Sequence, residues 1–431
     1  MEENKTEDNM NLNEIRNNIS TTRSLQLKEL KKKFKKISIF KTKKDKGKHI
    51  EKEQKKEISE NIPKIIKIRN PGIDIIRIIC MYSVIIQHLM YQFNGLNKYS
   101  KYEKQIKIFN YALFWSIDGF ALISGIVGYK TNKYSNLLYL WLEVFFYSVG
   151  IPIYFKKIKH KQKINLTLEY FPICNKQYWY FTEYFGMYLF LPIVNKGIFY
   201  LTKTEHKLVI ASIIGIFSIW KKIKNDKNDL FILNEGNSVL WFLILFIIGA
   251  YIGKYKINYS GIKKFMFCCL CLFIYLYSTF IFYKLKNNEL YNGNKYILNQ
   301  LVTMLNKLFS ETHESIIRII QTISITLFFL QINYNKYLSK IISFIGPLSF
   351  GVYLSHYNKY AIDYIMINVF NNSPYNLTLI PVFRLFLSKA LKIFFICILL
   401  DYIRHLLFNI LRIRKLCILL EKMAFKIFSF I

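Results

Sequence analysis

NPGIDIIRIICMYSVIIQHLMYQF, residues 70 to 93, is the stretch on which the reading of the fold turns. It is apolar for about the twenty residues that a helix needs to cross a hydrocarbon slab of roughly 30 Å. Yet it carries an acid, a cation and an imidazole. At about 100° per residue, Asp74, Arg77, Met81, Val84 and His88 fall along one stripe of such a helix. Arg77 and His88 then stand roughly 16 Å apart along the axis, with Arg77 near the end at which the chain enters and His88 well inside. An ionisable side chain in the bilayer core costs a few kcal/mol, so each needs a partner, a water-filled cavity or an escape to the headgroups.

Working outward, the pattern recurs. Apolar runs follow at 108 to 129, 137 to 155, 179 to 200, 207 to 220, 239 to 253, 264 to 283, 316 to 333, 341 to 362 and 377 to 411. The expected fold class is therefore all-α, a polytopic membrane bundle of about ten transmembrane helices with a disordered basic N-terminal tail. The run at 207 to 220 is short and needs tilt or local thinning. The run at 377 to 411 is too long for one vertical span and is expected to leave the membrane near Arg404. The stretch 296 to 309 carries Asn299, Gln300, Asn306 and Lys307 at helical spacing and reads as interfacial.

The chain of 431 residues has a formal net charge of +34, which in a soluble protein would suggest nucleic acid. The positions of the charges argue otherwise. The densest basic stretch, KELKKKFKKISIFKTKKDKGK (28 to 48), lies in a polar tail, and most other lysines flank apolar spans, where they meet anionic headgroups. Membrane lipids, and no nucleic acid, are the expected polyanionic partner. Residues 1 to 66 are too polar to fold on a core of their own, apart from an amphipathic helix near Ser24 to Ile39, and 67 to 431 read as one integral membrane domain. An even number of crossings puts both termini on one side, and the basic tail argues for the cytoplasm and a plasma-membrane location. The basic loop KKIKHKQK (156 to 163) counts against that topology. The tail lacks the apolar segment of a cleaved signal. The seven cysteines form no CxxC pair, and Cys80, Cys268, Cys269, Cys271 and Cys397 read as buried apolar residues.

Function should show where polar residues are costly. Arg77 reads either as a cation snorkelling to the headgroups while paired with Asp74, or as a ligand for an anionic substrate. His88 reads either as a packed, neutral imidazole or as a proton acceptor for a hydroxyl. Asp118, Glu143, Glu183 and His356 are further intramembrane polar groups, each able to face the same cavity or simply to be paired. His49, His160, His206, His313 and His405 fall in tails, loops or span ends and carry no special weight. There is no GxSxG elbow, P-loop, HExxH or paired-cysteine metal site, so no metal is expected. A transporter or flippase for a lipid-linked sugar also fits about ten spans with buried charges, although Gly/Pro breaks are few, at Gly346-Pro347 and Leu191-Pro192.

Six stretches sharpen this choice: IDIIRIICMYSVIIQH (73 to 88), FALISGIVGY (120 to 129), NLLYLWLEVFFYSV (136 to 149), QYWYFTEYFGMYLFLPIVNK (177 to 196), SVLWFLILFIIGAYI (238 to 252) and LSFGVYLSHYNK (348 to 359). In this order they resemble the integral membrane acyltransferase-3 family, in particular its surface polysaccharide O-acetyltransferase-like branch. The resemblance implies a ten-helix domain that takes an acyl group, usually acetyl from acetyl-CoA, and delivers it to a hydroxyl of a cell-surface or lipid-linked glycan. It also implies that Arg77 contacts the acyl-CoA donor and that His88 acts as general base or passes the acyl group on. Asp74, Asp118, Glu143, Glu183 and His356 are then candidates for binding substrate or donor. The tail and the segment 284 to 318 depart from the family pattern, which leaves the acceptor undefined.

Overall fold

The computed structural model describes residues 70–91, 95–157, 166–174, 177–223, 229–257, 259–286, 312–362 and 376–429. The basic tail with its expected amphipathic helix, most of the loop 156–163 and the expected interfacial stretch 296–309 lie outside the described residues.

The described residues form helices and no strands. In chain order they are α1 (Pro71–Tyr91), α2 (Glu103–Leu113), α3 (Ser116–Gly128), α4 (Tyr134–Lys157), α5 (Trp179–Tyr200), α6 (Lys203–Ile214), α7 (Val239–Lys254), α8 (Gly261–Lys286), α9 (Ile316–Gln331), α10 (Lys336–Ile345), α11 (Ser349–His356), α12 (Leu379–Ile410) and α13 (Ile413–Phe428), with single turns between some of them. Helix starts follow local chemistry. Asn70 Oδ1 accepts from the Gly72 N–H at 2.8 Å while Pro71, which has no N–H to satisfy, opens α1. Thr202 and Glu205 form a capping box at α6, and Ser238 caps α7.

Among the described residues, five helical stretches are long and apolar enough to cross a membrane: Pro71–Tyr91, Ser100–Gly128, Tyr134–Lys157, Gly261–Lys284 and Lys336–His356. Val239–Lys254 and Ile316–Gln331 are shorter apolar helices. That is fewer than the number of apolar runs, although every run contains helix. The distribution of polarity is that of a protein solvated by lipid. Asp74, Asp118, His356, Asp401 and Arg404 are 0 to 2% exposed, whereas Ile193, Phe199 and Ile410 are 73 to 77% exposed. The chain is an integral membrane protein.

Three places depart from the sequence reading. The run 108 to 129 is broken at Phe114 and Trp115, where α2 gives way to α3. The last run stays helical through Arg404, which is buried, and stops only at Leu411, after which Arg412 takes a left-handed conformation (φ 53°) and turns the chain into α13. Arg404 marks no exit because it is neutralised in place by partners on α4 and α12. Cys269 is exposed and Cys268 half-buried, on a face of α8 that looks away from the bundle.

The tightest helix pair is α3 with α7. A Cβ added at Gly125 would collide with the Phe246 carbonyl, one at Gly249 with the Leu122 carbonyl and one at Gly253 with the Ile126 carbonyl. Gly249 and Gly253 form a GxxxG step, which lets two backbones touch where lipid offers no hydrophobic incentive for side chains to pack. Gly249→Ala is expected to destabilise the protein by about 1–3 kcal/mol through overpacking. Gly150→Ala, at a site with no atom within 4 Å, is the control and should not lower the melting temperature measured in detergent.

Candidate active site

The structure brings together two histidines that lie 268 residues apart in sequence. His88 sits in the last turn of α1 and His356 in the last turn of α11, and His88 Nδ1 lies 3.2 Å from His356 Nε2. His356 Nδ1 lies 2.6 Å from the Val352 carbonyl. A carbonyl only accepts, so His356 Nδ1 carries the proton and its Nε2 is a lone pair. That lone pair accepts from His88 Nδ1–H, which leaves the lone pair of His88 on Nε2. The orientation of a base by a second group that is itself held by a third is the logic of a catalytic relay. His356 is fully buried, His88 is half-buried, and the Tyr357 ring stacks on His88 at 4.9 Å between centroids.

The end of α11 is held from three sides. Tyr178 Oη donates to the Leu354 carbonyl at 2.8 Å and accepts from Asn358 Nδ2 at 2.9 Å. Gly351 packs so closely on Asp401 of α12 that a Cβ there would overlap the carboxylate. Asp401 is in turn gripped by Arg404, whose Nε and Nη2 donate to its two oxygens at 2.8 and 2.7 Å, and Tyr147 Oη donates to Asp401 Oδ1 at 2.9 Å. The geometry at His356 thus depends on α4, α5 and α12 together.

Arg77 lies toward the other end of α1, half-buried, with Nη1 donating to the buried Asp74 Oδ1 at 2.8 Å. Asp74 also packs against Gly346, where an added Cβ would come within 2.6 Å of the Asp74 Cβ. This is why the chain needs glycine at the break between α10 and α11. Glu183, in the first half of α5, is half-buried. The paired reading of Arg77 and Asp74 is therefore realised, and the guanidinium retains partial exposure.

The other two acidic candidates lie elsewhere. Glu143 is bonded to Arg404 Nη1 at 2.6 Å, in the cluster that also contains Asp401. Asp118, in the first turn of α3, accepts from Trp241 Nε1 at 3.1 Å and faces His313 Nδ1 at 3.5 Å. Among the described residues no three His, Cys, Asp or Glu side chains converge as metal ligands.

Chemically, the histidine pair is a base whose tautomer is fixed, in a half-buried place and on a helix that also carries a partly exposed cation. A family model described as an acyltransferase domain matches residues 70–402. The chain belongs to the acyltransferase-3 family. No curated protein and no solved structure matches it. The acyltransferase match spans both histidines, Arg77 and the Arg404 cluster's partners up to Asp401, and it ends inside α12.

Sequence reasoning marked His356 as polar within a span but did not pair it with His88, and it passed over His313. The signal for His356 was present in LSHYN: a histidine, an aromatic ring and an amide at the end of an apolar run. For His313 there was none, because its neighbours ETHES read as a loop. His356→Ala is expected to lower the transfer rate by about 10- to 100-fold by freeing the His88 tautomer. His356→Gln, whose amide oxygen can take the place of Nε2, should restore part of that rate. Equal rates in both variants would refute the relay.

Proposed function

We propose that this acyltransferase moves an acyl group, most simply acetyl from acetyl-CoA, to a hydroxyl of a cell-surface or lipid-linked glycan. The observation that carries the reading is the fixed relay from the Val352 carbonyl through His356 to His88, which leaves the His88 Nε2 lone pair for the acceptor. In the step, His88 Nε2 takes the hydroxyl proton as the alcohol oxygen bonds to the thioester carbonyl carbon. The carbon–sulfur bond then breaks, and the departing thiolate takes the proton back from His88. Arg77 serves the anionic donor: a guanidinium suits phosphate oxygens, and the gap of roughly 16 Å to His88 is one that the extended arm of a coenzyme A thioester spans.

Charge supports the direction of entry. At the end of the bundle where α1 begins, Lys254 Nζ donates to the Ile198 and Leu201 carbonyls at 2.7 and 2.6 Å, and Arg414 Nη2 donates to Asn136 Oδ1 at 3.0 Å. Lys130, Lys133, Lys203 and Arg412 lie in the neighbouring turns. Such a cationic end belongs on the cytoplasmic side, with both termini there and the protein in the plasma membrane. The test uses membranes containing the chain and acetyl-labelled acetyl-CoA: label should enter the glycan fraction as an alkali-labile ester and require His88. Label that stays with the donor, or that enters equally with His88→Ala, overturns the proposal.

A further inference from the structure

Where α12 gives way to α13, these two helices and α4 leave between them a groove of about 290 Å³ that the proposed chemistry does not use. Its floor is one face of α4: Leu142, Phe145, Phe146, Val149 and Gly150 recur at helical spacing over two turns, roughly 12 Å of axis. Phe408 of α12 and Ile413 of α13 form the walls. No lining residue has a polar side chain, so neither water nor a sugar finds a partner there, and the slot suits hydrocarbon. One end is open to the bilayer: Gly150 is exposed, and a Cβ on it would meet no atom within 4 Å. Leu407, Leu411 and Leu416, close in sequence to the walls, are exposed as well.

The other end is cationic. Arg412, Arg414 and Lys415 flank Ile413, and all three are exposed. Arg414 is anchored on the first turns of α4, where Nη2 donates to Asn136 Oδ1 at 3.0 Å and the guanidinium lies 5.3 Å from the Tyr139 ring centroid, one turn before Leu142. Nearby acids do not offset these charges. Glu143 and Asp401 are paired with Arg404, and the one acid of α13, Glu421, lies further along that helix. The family match ends at residue 402, so both walls and the cations come from sequence outside the shared domain.

We propose that this groove binds one anionic phospholipid, with an acyl chain along α4 from Leu142 to Gly150 and the headgroup phosphate against Arg412, Arg414 and Lys415. A guanidinium matches phosphate oxygens with paired N–H donors, and a basic cluster beside an apolar slot selects anionic headgroups. A zwitterionic lipid offers the same chain and phosphate, but its own cation is repelled by the cluster. Occupancy also has a structural consequence. Phe408 carries the Arg404 guanidinium 5.1 Å from its ring centroid, and Arg404 grips Asp401. A chain packed on Phe408 braces that cluster, and a ligand that binds only the folded protein raises its melting temperature.

The test uses the purified full chain in detergent with dioleoyl phosphatidylglycerol and dioleoyl phosphatidylcholine, with bound lipid counted by native mass spectrometry and melting followed in parallel. Phosphatidylglycerol should bind saturably, one per chain, about tenfold more tightly than phosphatidylcholine, and raise the melting temperature by several degrees. Arg412→Gln combined with Lys415→Gln should remove the preference, so that the two lipids bind alike. Gly150→Leu, which fills the slot from an open helix surface, should weaken both lipids about tenfold. Melting temperatures matching the parent's without added lipid establish that the variants fold, and the paired glutamine variant decides the case alone if Gly150→Leu does not. Equal binding of the two lipids by the parent, or unchanged binding in either folded variant, overturns the site and leaves the groove as ordinary lipid contact.

Discussion

Replacing His88 by alanine is expected to leave a folded, membrane-inserted protein that has lost about 10²- to 10⁴-fold of its acyl-transfer rate, the usual contribution of a positioned general base. The proposal gives His88 Nε2 both proton transfers, and within the relay only that nitrogen keeps a free lone pair, since His356 is engaged at both of its own. The structural cost should be small by comparison. His88 is half-buried at the end of α1, and its removal leaves His356 Nε2 without a donor, a loss of about 1–3 kcal/mol if no water replaces it. Rate and stability therefore separate. Acetyl-CoA consumption by membranes carrying equal amounts of parent and variant measures the first, and the melting temperature of the purified proteins measures the second. A variant that keeps more than a tenth of the parental rate would remove His88 from the chemistry. One that fails to fold would make it a packing residue, the bland alternative that its place on an apolar helix allows.

How much of this was legible in the chain follows from where partners sit. The α1 stripe was readable because Asp74, Arg77 and His88 recur at helical spacing, and local geometry alone joins Asp74 to Arg77 three residues on. The glycines behind the close α3–α7 contact, Gly249 and Gly253, went unread in the sequence, and their four-residue spacing does not by itself name the helix they meet. The histidine pair was not readable either, since nothing in the spacing of α1 says which of the later helices ends against it. Arg404 was misplaced for the same reason: a lone cation late in a long apolar run reads as an exit to water, and its burial depends on Glu143, 261 residues earlier. The break at Phe114 and Trp115 escaped notice because both residues are apolar and neither is proline or glycine. Covalent neighbours set helices and caps, whereas the site is made by contacts between helices.

The largest expected effect on stability belongs to Arg404. Its guanidinium is 2% exposed and donates to Glu143 Oε1 at 2.6 Å and to Asp401 Oδ2 at 2.7 Å, while its face lies 5.1 Å from the Phe408 ring centroid. Two carboxylates thus share one cation in the interior. Arg404→Leu removes the cation and leaves both acids buried, and breaking a buried pair in this way costs about 3–5 kcal/mol. Glu143→Gln is the milder change: Arg404 keeps its two bonds to Asp401, and the amide oxygen can still accept. The combination Arg404→Leu, Glu143→Leu, Asp401→Leu does not serve as a rescue, because Asp401 lies hard against Gly351 and leucine there would push α11. Arg404→Leu with Glu143→Leu and Asp401→Asn does, since it leaves no unpaired charge and an amide for Tyr147 Oη to donate to. The order of melting temperatures should be parent, then Glu143→Gln, then the triple variant, then Arg404→Leu, read by size-exclusion of a fluorescent fusion after heating. Because Asp401 also sets the position of α11, the transfer rate should fall with Arg404→Leu even in the fraction that survives. An Arg404→Leu protein as stable as the parent would mean that the two acids are held neutral, and the cluster would then be a hydrogen-bonded network in place of an ionic one.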